Sequence, residues 1–234
     1  MVERNEIINM RELVDINEYL DKLVTELKKK FGKRLIYVGL QGSYLRGEAT
    51  PDSDIDVMLV LDDINTDDLE AYKQILIGLG EYDRACGFVC GRKELDNWFP
   101  QELCHVLHTT SDVYGNLQDI IPKFDRKEVA DYVKMSVGNL YHILCHRRIH
   151  SEREKNINKL PMAKRDVFFI LQDLSYLESG YFIHNKVEVP TCIGGLDLKV
   201  WDRLSDKIDE DNFDATLDLL LKWCKDVLRR TTEI

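Results

Sequence analysis

Two short groups of residues in this 234-residue chain could carry chemistry on a phosphorylated substrate. Gly42 and Ser43 follow a β-prone run that ends at Leu40, and Asp54 and Asp56 stand at the start of an apolar run. Because Gly42 lacks a Cβ, backbone N–H groups and the Ser43 hydroxyl can point at phosphate oxygens. A short helix opening at Ser43 would add the partial positive charge of its N-terminus. The pair Gly42-Ser43 therefore predicts a phosphate-binding turn.

The sequence Asp54-Ile55-Asp56 predicts a metal site. Side chains alternate along a β-strand, so the two carboxylates share a face while Ile55 points into the core. Adjacent carboxylates repel each other unless a cation neutralises them, and Mg²⁺ is commonly held by one or two carboxylates together with substrate phosphates. Such an ion would neutralise phosphate charge, orient the α-phosphorus for in-line attack and stabilise departing pyrophosphate. The alternatives are an ordinary turn at Gly42-Ser43 and a solvated strand start at the acids.

These residues belong to one longer string, Gly-Ser-x(3)-Gly-x(6)-Asp-x-Asp, followed by hydrophobic residues. The string resembles the core motif of the DNA polymerase β-like nucleotidyltransferase superfamily, whose members transfer a nucleoside monophosphate from a nucleoside triphosphate to a hydroxyl. The resemblance implies an α+β fold in which a mixed sheet with flanking helices presents the acids at strand ends. It also implies Mg²⁺ as the cofactor and ATP or another nucleoside triphosphate as the co-substrate.

The same resemblance implies roles for individual residues. Asp54 and Asp56 are expected to be catalytic residues and metal ligands. The expected contacts to the triphosphate are Gly42, Ser43, Arg46 and Ser53. Arg46 has two further interpretations, because it could instead hold the turn or pair with Asp52.

A third carboxylate is expected from the resemblance on a neighbouring strand, where it completes the metal site or acts as the base toward the acceptor hydroxyl. The predicted strand at residues 84–90 contains no acid. Asp83 at its start is the candidate for this catalytic role, and Glu81 and Glu94 flank the strand. The alternative for Asp83 is an ordinary charge before a strand. If none of these acids serves, either the base comes from the C-terminal half or the site is degenerate.

The pattern of apolar residues changes near Pro122 and predicts a second domain. Before this point helices and strands alternate, and after it nearly everything has helical period. The helical segments are residues 126–150, 163–183 and 212–229. We therefore expect a catalytic domain over residues 1–125 and an all-α helical bundle over residues 126–234, with the active site in the cleft between them. Residues 187–198 contain Pro and Gly and predict a loop.

A helical domain after such a core resembles the two-domain streptomycin and spectinomycin adenylyltransferases. Residues 165–186 are similar to a segment in which that type brings a lysine to the nucleotide, so Lys186 is a candidate for nucleotide binding. The alternative is a helix-end lysine, which the helix dipole favours. Trp98-Phe99-Pro100 is similar to a region that helps to frame the acceptor cleft. The resemblance implies an aminoglycoside acceptor and a role in antibiotic resistance.

Composition limits the partners. The chain has 44% hydrophobic residues, which is enough to form buried cores. Its net charge of −10, from 42 acids and 32 bases, argues against a protein that holds long nucleic acid. A small cationic acceptor would be attracted to an acidic cleft, although surplus charge can also serve solubility alone. The six cysteines form no Cys-x-x-Cys and lie mostly in apolar runs, which predicts reduced, buried thiols and a cytoplasmic location. No apolar stretch predicts a signal peptide or a membrane span.

Three histidines, His142, His146 and His150, recur at a spacing of four residues and are expected along one helix face. The spacing allows a zinc site, but no fourth ligand is evident on that face, so a row facing solvent or the cleft is the favoured interpretation.

Together these observations predict a cytoplasmic, Mg²⁺-dependent nucleotidyltransferase that moves AMP from ATP to a hydroxyl of a small molecule such as an aminoglycoside and releases pyrophosphate. Two alternatives stay open. The acceptor could be a protein side chain, or the chain could be a degenerate nucleotide-binding module without turnover. The sequence leaves the oligomeric state open.

Overall fold

The structure is a computed structural model that describes residues 12–232. The sequence also predicts a helix followed by a strand over residues 5–40, and residues 5–11 of that prediction lie outside the described residues. Contacts divide the chain into two compact units. The sheet unit contains the chain up to Asn97 together with Thr109–Ile121, and the helical unit contains Trp98–His108 together with the chain from Pro122 onward.

In its described residues the sheet unit combines five strands with five helices, numbered here in chain order through both units. Its strands are β1 (Leu35–Leu40), β2 (Ile55–Leu61), β3 (Ala85–Cys86), β4 (Val89–Gly91) and β5 (Ser111–Tyr114). Its helices are α1 (Ile16–Phe31), α2 (Gly42–Leu45), α3 (Thr66–Leu79), α4 (Arg92–Asp96) and α6 (Leu117–Ile120). A 3₁₀ turn at Gly32–Arg34 joins α1 to β1.

The sheet is mixed, with β2 at its centre. On one side β2 pairs antiparallel with β1, which pairs antiparallel with β5. On the other side β3 and β4 follow each other along β2, and both pairings are parallel. Buried residues of α1 and α3 form one core with the inward side chains of β1 and β2. Among them Leu23 and Leu27 of α1 are 0% exposed, which fixes this helix against the sheet.

In the described part of the helical unit, all of the regular secondary structure is helical. They are α5 (Pro100–His108), α7 (Arg126–His150), α8 (Arg153–Lys159), α9 (Ala163–Ser179), α10 (Val189–Cys192), α11 (Gly195–Arg203) and α12 (Phe213–Arg230). The long helices α7, α9 and α12 enclose the core, in which Val137, Phe168 and Trp223 are almost fully buried. A capping box at Asp125 and Glu128 defines the start of α7.

The predicted fold class is confirmed, since a mixed sheet with flanking helices precedes a helical region. That the units are separate domains with bounds 1–125 and 126–234 stays a prediction. Three predicted segments were wrong in detail. The strand at 84–90 is interrupted between β3 and β4, where Gly87 has φ of +133°. The helix at 163–183 ends at Ser179 because Gly180 takes a left-handed conformation, and the loop at 187–198 contains α10 and the start of α11.

Candidate functional site

The predicted phosphate turn and the predicted acids meet at one end of the hairpin formed by β1 and β2. The backbone N–H of Gln41 donates to the Asp56 carbonyl over 2.8 Å and closes the loop between the strands. Gly42 follows with φ of +69°, a conformation that residues with a Cβ rarely adopt. A Cβ on Gly42 would lie 2.7 Å from Cγ of Asp56 and closer still to a carboxylate oxygen. The glycine is therefore required for the backbone to approach this acid.

Asp54 and Asp56, the two acids of the motif, lie at the start of β2. Among the described residues, neither Asp54 nor Asp56 forms an ion pair, and both act through their charge on the thiol of Cys86. In the same part of the chain, no group of three or more His, Cys, Asp and Glu side chains is arranged to hold a metal. Two unpaired carboxylates are nevertheless the hard oxygen donors that Mg²⁺ uses when substrate phosphates and water complete its shell. The residues present thus fit a cation that arrives with a phosphorylated ligand.

Three other motif residues have local structural partners. The Ser43 carbonyl accepts from the N–H of Glu48 over 2.9 Å, which helps to close the loop after α2. The Ser53 hydroxyl instead accepts from the N–H of Thr50 over 2.9 Å and closes the turn. Arg46 donates from Nε to Glu48 over 3.1 Å. The sequence allowed an ion pair between Arg46 and Asp52, but in the structure Arg46 pairs with Glu48.

Arg84 holds the loop that precedes Asp54, a role that the sequence pattern did not predict. This side chain is 5% exposed, and its Nη1 donates to the Pro51 carbonyl over 2.7 Å. Its Nε donates to Glu81 over 3.0 Å. The hydrogen bonds that Arg84 donates to Glu81 raise the pKa of the Arg84 guanidinium, so this buried group stays charged. An arginine directly before a strand, three residues after an acid, was the available signal.

The neighbouring strand brings Cys86, and not Asp83, beside Asp56. In the parallel pairing of β2 and β3, Cys86 is the register partner of Asp56, and Ala85 is that of Ile55. Asp83 lies in the turn before β3, in a surface depression that Glu12, Asp15 and Arg84 also line. A role of Asp83 as the third carboxylate stays a prediction that this position does not support. Cys86 is exposed, so the expectation of a buried thiol was wrong at this position.

Lys186 lies in the helical unit, in the loop after α9 and not at a helix end. Its Nζ is 5.9 Å from the ring centre of Phe168. Lys164 stands nearby on the first turn of α9, with Nζ 4.4 Å from the ring centre of Trp201 and 2.6 Å from the Ser205 hydroxyl. Desolvation, followed by the charge of Lys186, lowers the pKa of Lys164. A lysine in the first turn of a helix opposes the helix dipole, which was the missed sequence signal for this second cation.

The histidine row lies on α7 with all three side chains exposed. The ring centres of His142 and His146 are 5.9 Å apart, and those of His146 and His150 are 4.7 Å apart. None of the three belongs to a metal-binding group among residues 12–232. None of the described helices combines the length and apolar character needed to cross a lipid bilayer.

Comparison with known proteins places the motif within a family. The model of the nucleotidyltransferase domain matches residues 20–89, which include most of α1, together with β1, the motif loop and β2. The protein adenylyltransferase MntA of Thermococcus cleftensis is 39% identical over 74 residues, which are 30% of this chain and 73% of that protein. A second relative, MJ1379 of Methanocaldococcus jannaschii, is 37% identical over 67 residues, which are 29% of this chain and 65% of its own.

A solved structure shares the fold over nearly the whole chain. It is the spectinomycin adenyltransferase AAD(9) from Enterococcus faecialis, crystallised with ATP and spectinomycin. The superposition has a TM-score of 0.54 at 15% identity and covers 91% of this chain and 99% of that one. At this identity the likeness describes the fold, including both the mixed sheet and the helical part.

Proposed function

Because the chain belongs to the nucleotidyltransferase family, we propose that it transfers AMP from ATP to a hydroxyl group and releases pyrophosphate. The observation that carries the proposal is the close approach of Gly42 to the Asp56 carboxylate, in a loop where both motif acids lack an ion-pair partner among residues 12–232. Neighbouring like charges without a partner are unfavourable in the free protein, so their presence indicates a bound cation during function.

We assign the roles as follows. Gly42 and Ser43 contact the triphosphate through backbone N–H groups and the Ser43 hydroxyl. Asp54 and Asp56 would hold Mg²⁺, whose charge would stabilise the negative charge that develops on the phosphates. Arg84 keeps the loop that precedes Asp54 in place through the Pro51 carbonyl.

During transfer the acceptor hydroxyl loses its proton to solvent, and its oxygen forms a bond to the α-phosphorus as the bond between that phosphorus and the pyrophosphate oxygen breaks. Positioning and charge stabilisation supply most of the rate enhancement in this chemistry. The rigid hairpin supports both, because the Gln41–Asp56 backbone bond ties the phosphate turn to the acids. We further propose that Lys186, with Lys164 close to it, adds positive charge for the triphosphate. The roles of Ser53 and Arg46 as nucleotide contacts receive less support, since both side chains have local partners.

For the acceptor we propose a small cationic molecule with a free hydroxyl, such as an aminoglycoside. The net charge of −10 favours a cation, and the shared fold with AAD(9) extends over 91% of the chain. The relative MntA gives a specific reason for a second candidate, because it is named a protein adenylyltransferase and is 39% identical over the motif region. Under that second candidate the acceptor is a hydroxyl of a protein side chain.

The test measures pyrophosphate release from ATP and from GTP with Mg²⁺ across a panel of aminoglycosides. Wild type is compared with Asp56→Asn, and Asp52→Asn serves as the control because Asp52 is an exposed acid of the same loop. We expect release that depends on one acceptor, disappears in Asp56→Asn and persists in Asp52→Asn. Equal activity in wild type and Asp56→Asn would overturn the proposal.

A parallel assay separates the two acceptor classes. ATP labelled at its α-phosphate is supplied to the protein alone and to the protein with a cell lysate, and transfer of labelled AMP to protein is followed on a gel. Label on a protein band, together with silence across the drug panel, would replace the small-molecule acceptor with a protein acceptor. Binding of ATP without transfer in either assay would identify a nucleotide-binding module without turnover.

A further inference from the structure

We propose that Cys86 is the residue that limits the site to two carboxylates, so that a divalent cation binds there only together with the phosphates of the nucleotide. The inference rests on the proposed function, because it concerns the cation at Asp54 and Asp56. Beyond the proposed function, the inference assigns to Cys86 a role in determining whether Mg²⁺ binds before the nucleotide or together with it.

The pairing of two strands places Cys86 next to the acids. Cys86 is the parallel register partner of Asp56, and alternation along the strands directs both side chains to the same face. The charges of Asp56 and Asp54 both act on the thiol, as expected for a side chain beside the acids. Cys86 therefore occupies the position from which a side chain of β3 could complete the acid site.

Backbone bonds on either side hold this position firmly. The N–H of Ile55 donates to the Arg84 carbonyl over 2.8 Å, and the N–H of Phe88 donates to the Val57 carbonyl over 3.2 Å. Between them Gly87 has φ of +133°, and a Cβ there would lie 2.7 Å from the Val57 carbonyl carbon. Only glycine permits this approach, so the register that sets Cys86 beside Asp56 is fixed.

The chemistry of the thiol then determines the charge of the site. A neutral thiol is a weak hydrogen-bond donor and a poor ligand for hard cations, whereas a carboxylate at the same place would add a third negative charge and hard oxygen donors. With two carboxylates, the protein supplies part of the coordination shell of Mg²⁺, and phosphate oxygens must supply the rest. We therefore expect little affinity for Mg²⁺ before the nucleotide binds.

The experiment is calorimetric titration of Mg²⁺ into the 234-residue protein with and without a non-hydrolysable ATP analogue. The heat of Mg²⁺ binding to the analogue alone is measured separately and subtracted, because its phosphates bind Mg²⁺ themselves. Wild type is compared with Cys86→Asp and with Cys86→Asn. The asparagine side chain has the same shape as the aspartate side chain but carries no charge. We expect wild type to bind Mg²⁺ at least about 10-fold more tightly with the analogue than without it. Cys86→Asp should gain about 10-fold or more in affinity for Mg²⁺ without the analogue, and Cys86→Asn should gain nothing.

Three outcomes would overturn the inference alone. Wild type could bind Mg²⁺ equally well without the analogue, the Asn variant could gain as much as the Asp variant, or a folded Asp variant could gain nothing. The wild-type comparison decides the question even if Cys86→Asp fails to fold. A wild-type protein that binds neither the analogue nor Mg²⁺ in its presence would overturn the proposed function as well.

Discussion

The acids at the start of β2 and the acid at the start of α11 have opposite surroundings. Asp54 and Asp56 lie beside a thiol and a glycine and form no ion pair among the described residues. Asp197 is 7% exposed and accepts from Arg230 over 3.0 and 3.2 Å and from the Trp223 indole over 2.6 Å. The charge of Asp197 is satisfied within the fold, whereas the charges of Asp54 and Asp56 remain available to a ligand.

This difference separates acids that maintain the structure from acids that act on a substrate. Burial and full hydrogen bonding make Asp197 costly to remove, because its partners would be left buried without it. Among residues 12–232 the motif acids form no ion pair, and neighbouring like charges do not stabilise a fold. Removing a motif acid should therefore affect activity, and removing Asp197 should affect stability.

The largest effect is expected for Asp54→Asn. The substitution removes a charge from the proposed cation site, so pyrophosphate release should fall by about 100-fold or more. Thermal denaturation should show a melting temperature equal to or above that of wild type, because one repulsive charge is gone. A melting temperature several degrees lower would mean that Asp54 also maintains the fold. The distinction between the motif acids and Asp197 would then be wrong.

A pair of glycine substitutions tests whether the surroundings of the motif acids matter for activity and not only for stability. Gly42→Ala should abolish most of the activity, because the new Cβ overlaps the Asp56 carboxylate. Gly47 has a similar φ of +67°, but a Cβ there would have no atom within 4 Å. Both variants should lose about 1 kcal/mol of stability from backbone strain, as measured by urea denaturation. If Gly47→Ala loses as much activity as Gly42→Ala, strain and not overlap is the cause.

The matching experiment in the helical unit is Asp197→Asn. It removes the charge that Arg230 and Trp223 share, and we expect the free energy of unfolding to fall by about 3 kcal/mol. Asp218→Asn on the exposed side of α12 is the control and should change stability little. Calorimetry should show unchanged ATP affinity per folded molecule. A stable Asp197→Asn variant with impaired nucleotide binding would place Asp197 among the functional acids.

The smallest effect concerns pH and a third acid, Asp68. Two hydrogen bonds from Arg34, of 2.8 and 2.9 Å, are the main cause that lowers the pKa of Asp68 below its usual 3.8. A lowered pKa contributes stability that is present above the unfolded-state pKa and is lost as the pH falls through the folded-state pKa. Urea denaturation should show Asp68→Asn to be less stable than wild type at neutral pH. The two proteins should converge only below pH 3.8, and convergence at a higher pH would contradict the shift.

Sequence patterns located the long elements and the motif because both depend on local information. The 3.6-residue period over 126–150 predicted α7 with the correct bounds, since a buried stripe repeats along the whole helix. The spacing of Gly42, Asp54 and Asp56 predicted that a turn and an acid pair would cooperate. In the structure Gly42 closely approaches Asp56, and that the two act together on a substrate stays a prediction.

Features that depend on pairing between distant segments could not be predicted in this way. The exposure of Cys86 follows from the register of β3 on β2, and an apolar run gives no information about register. Residues 187–198 were expected to be a loop because of Pro190, Gly194 and Gly195. In the structure Pro190 lies in the first turn of α10, and Gly194 precedes α11. Both positions tolerate these residues, so the same signals are compatible with short helices.

The hairpin of β1 and β2 also has a consequence for how the protein folds. The backbone bond that joins the phosphate turn to the acids connects Gln41 and Asp56, which are only 15 residues apart. Closing a loop of this size costs little chain entropy, and hairpins form within about 1–10 μs. The reactive groups of the sheet unit therefore come together through short-range contacts, early in the life of the chain and before contacts between distant segments are made.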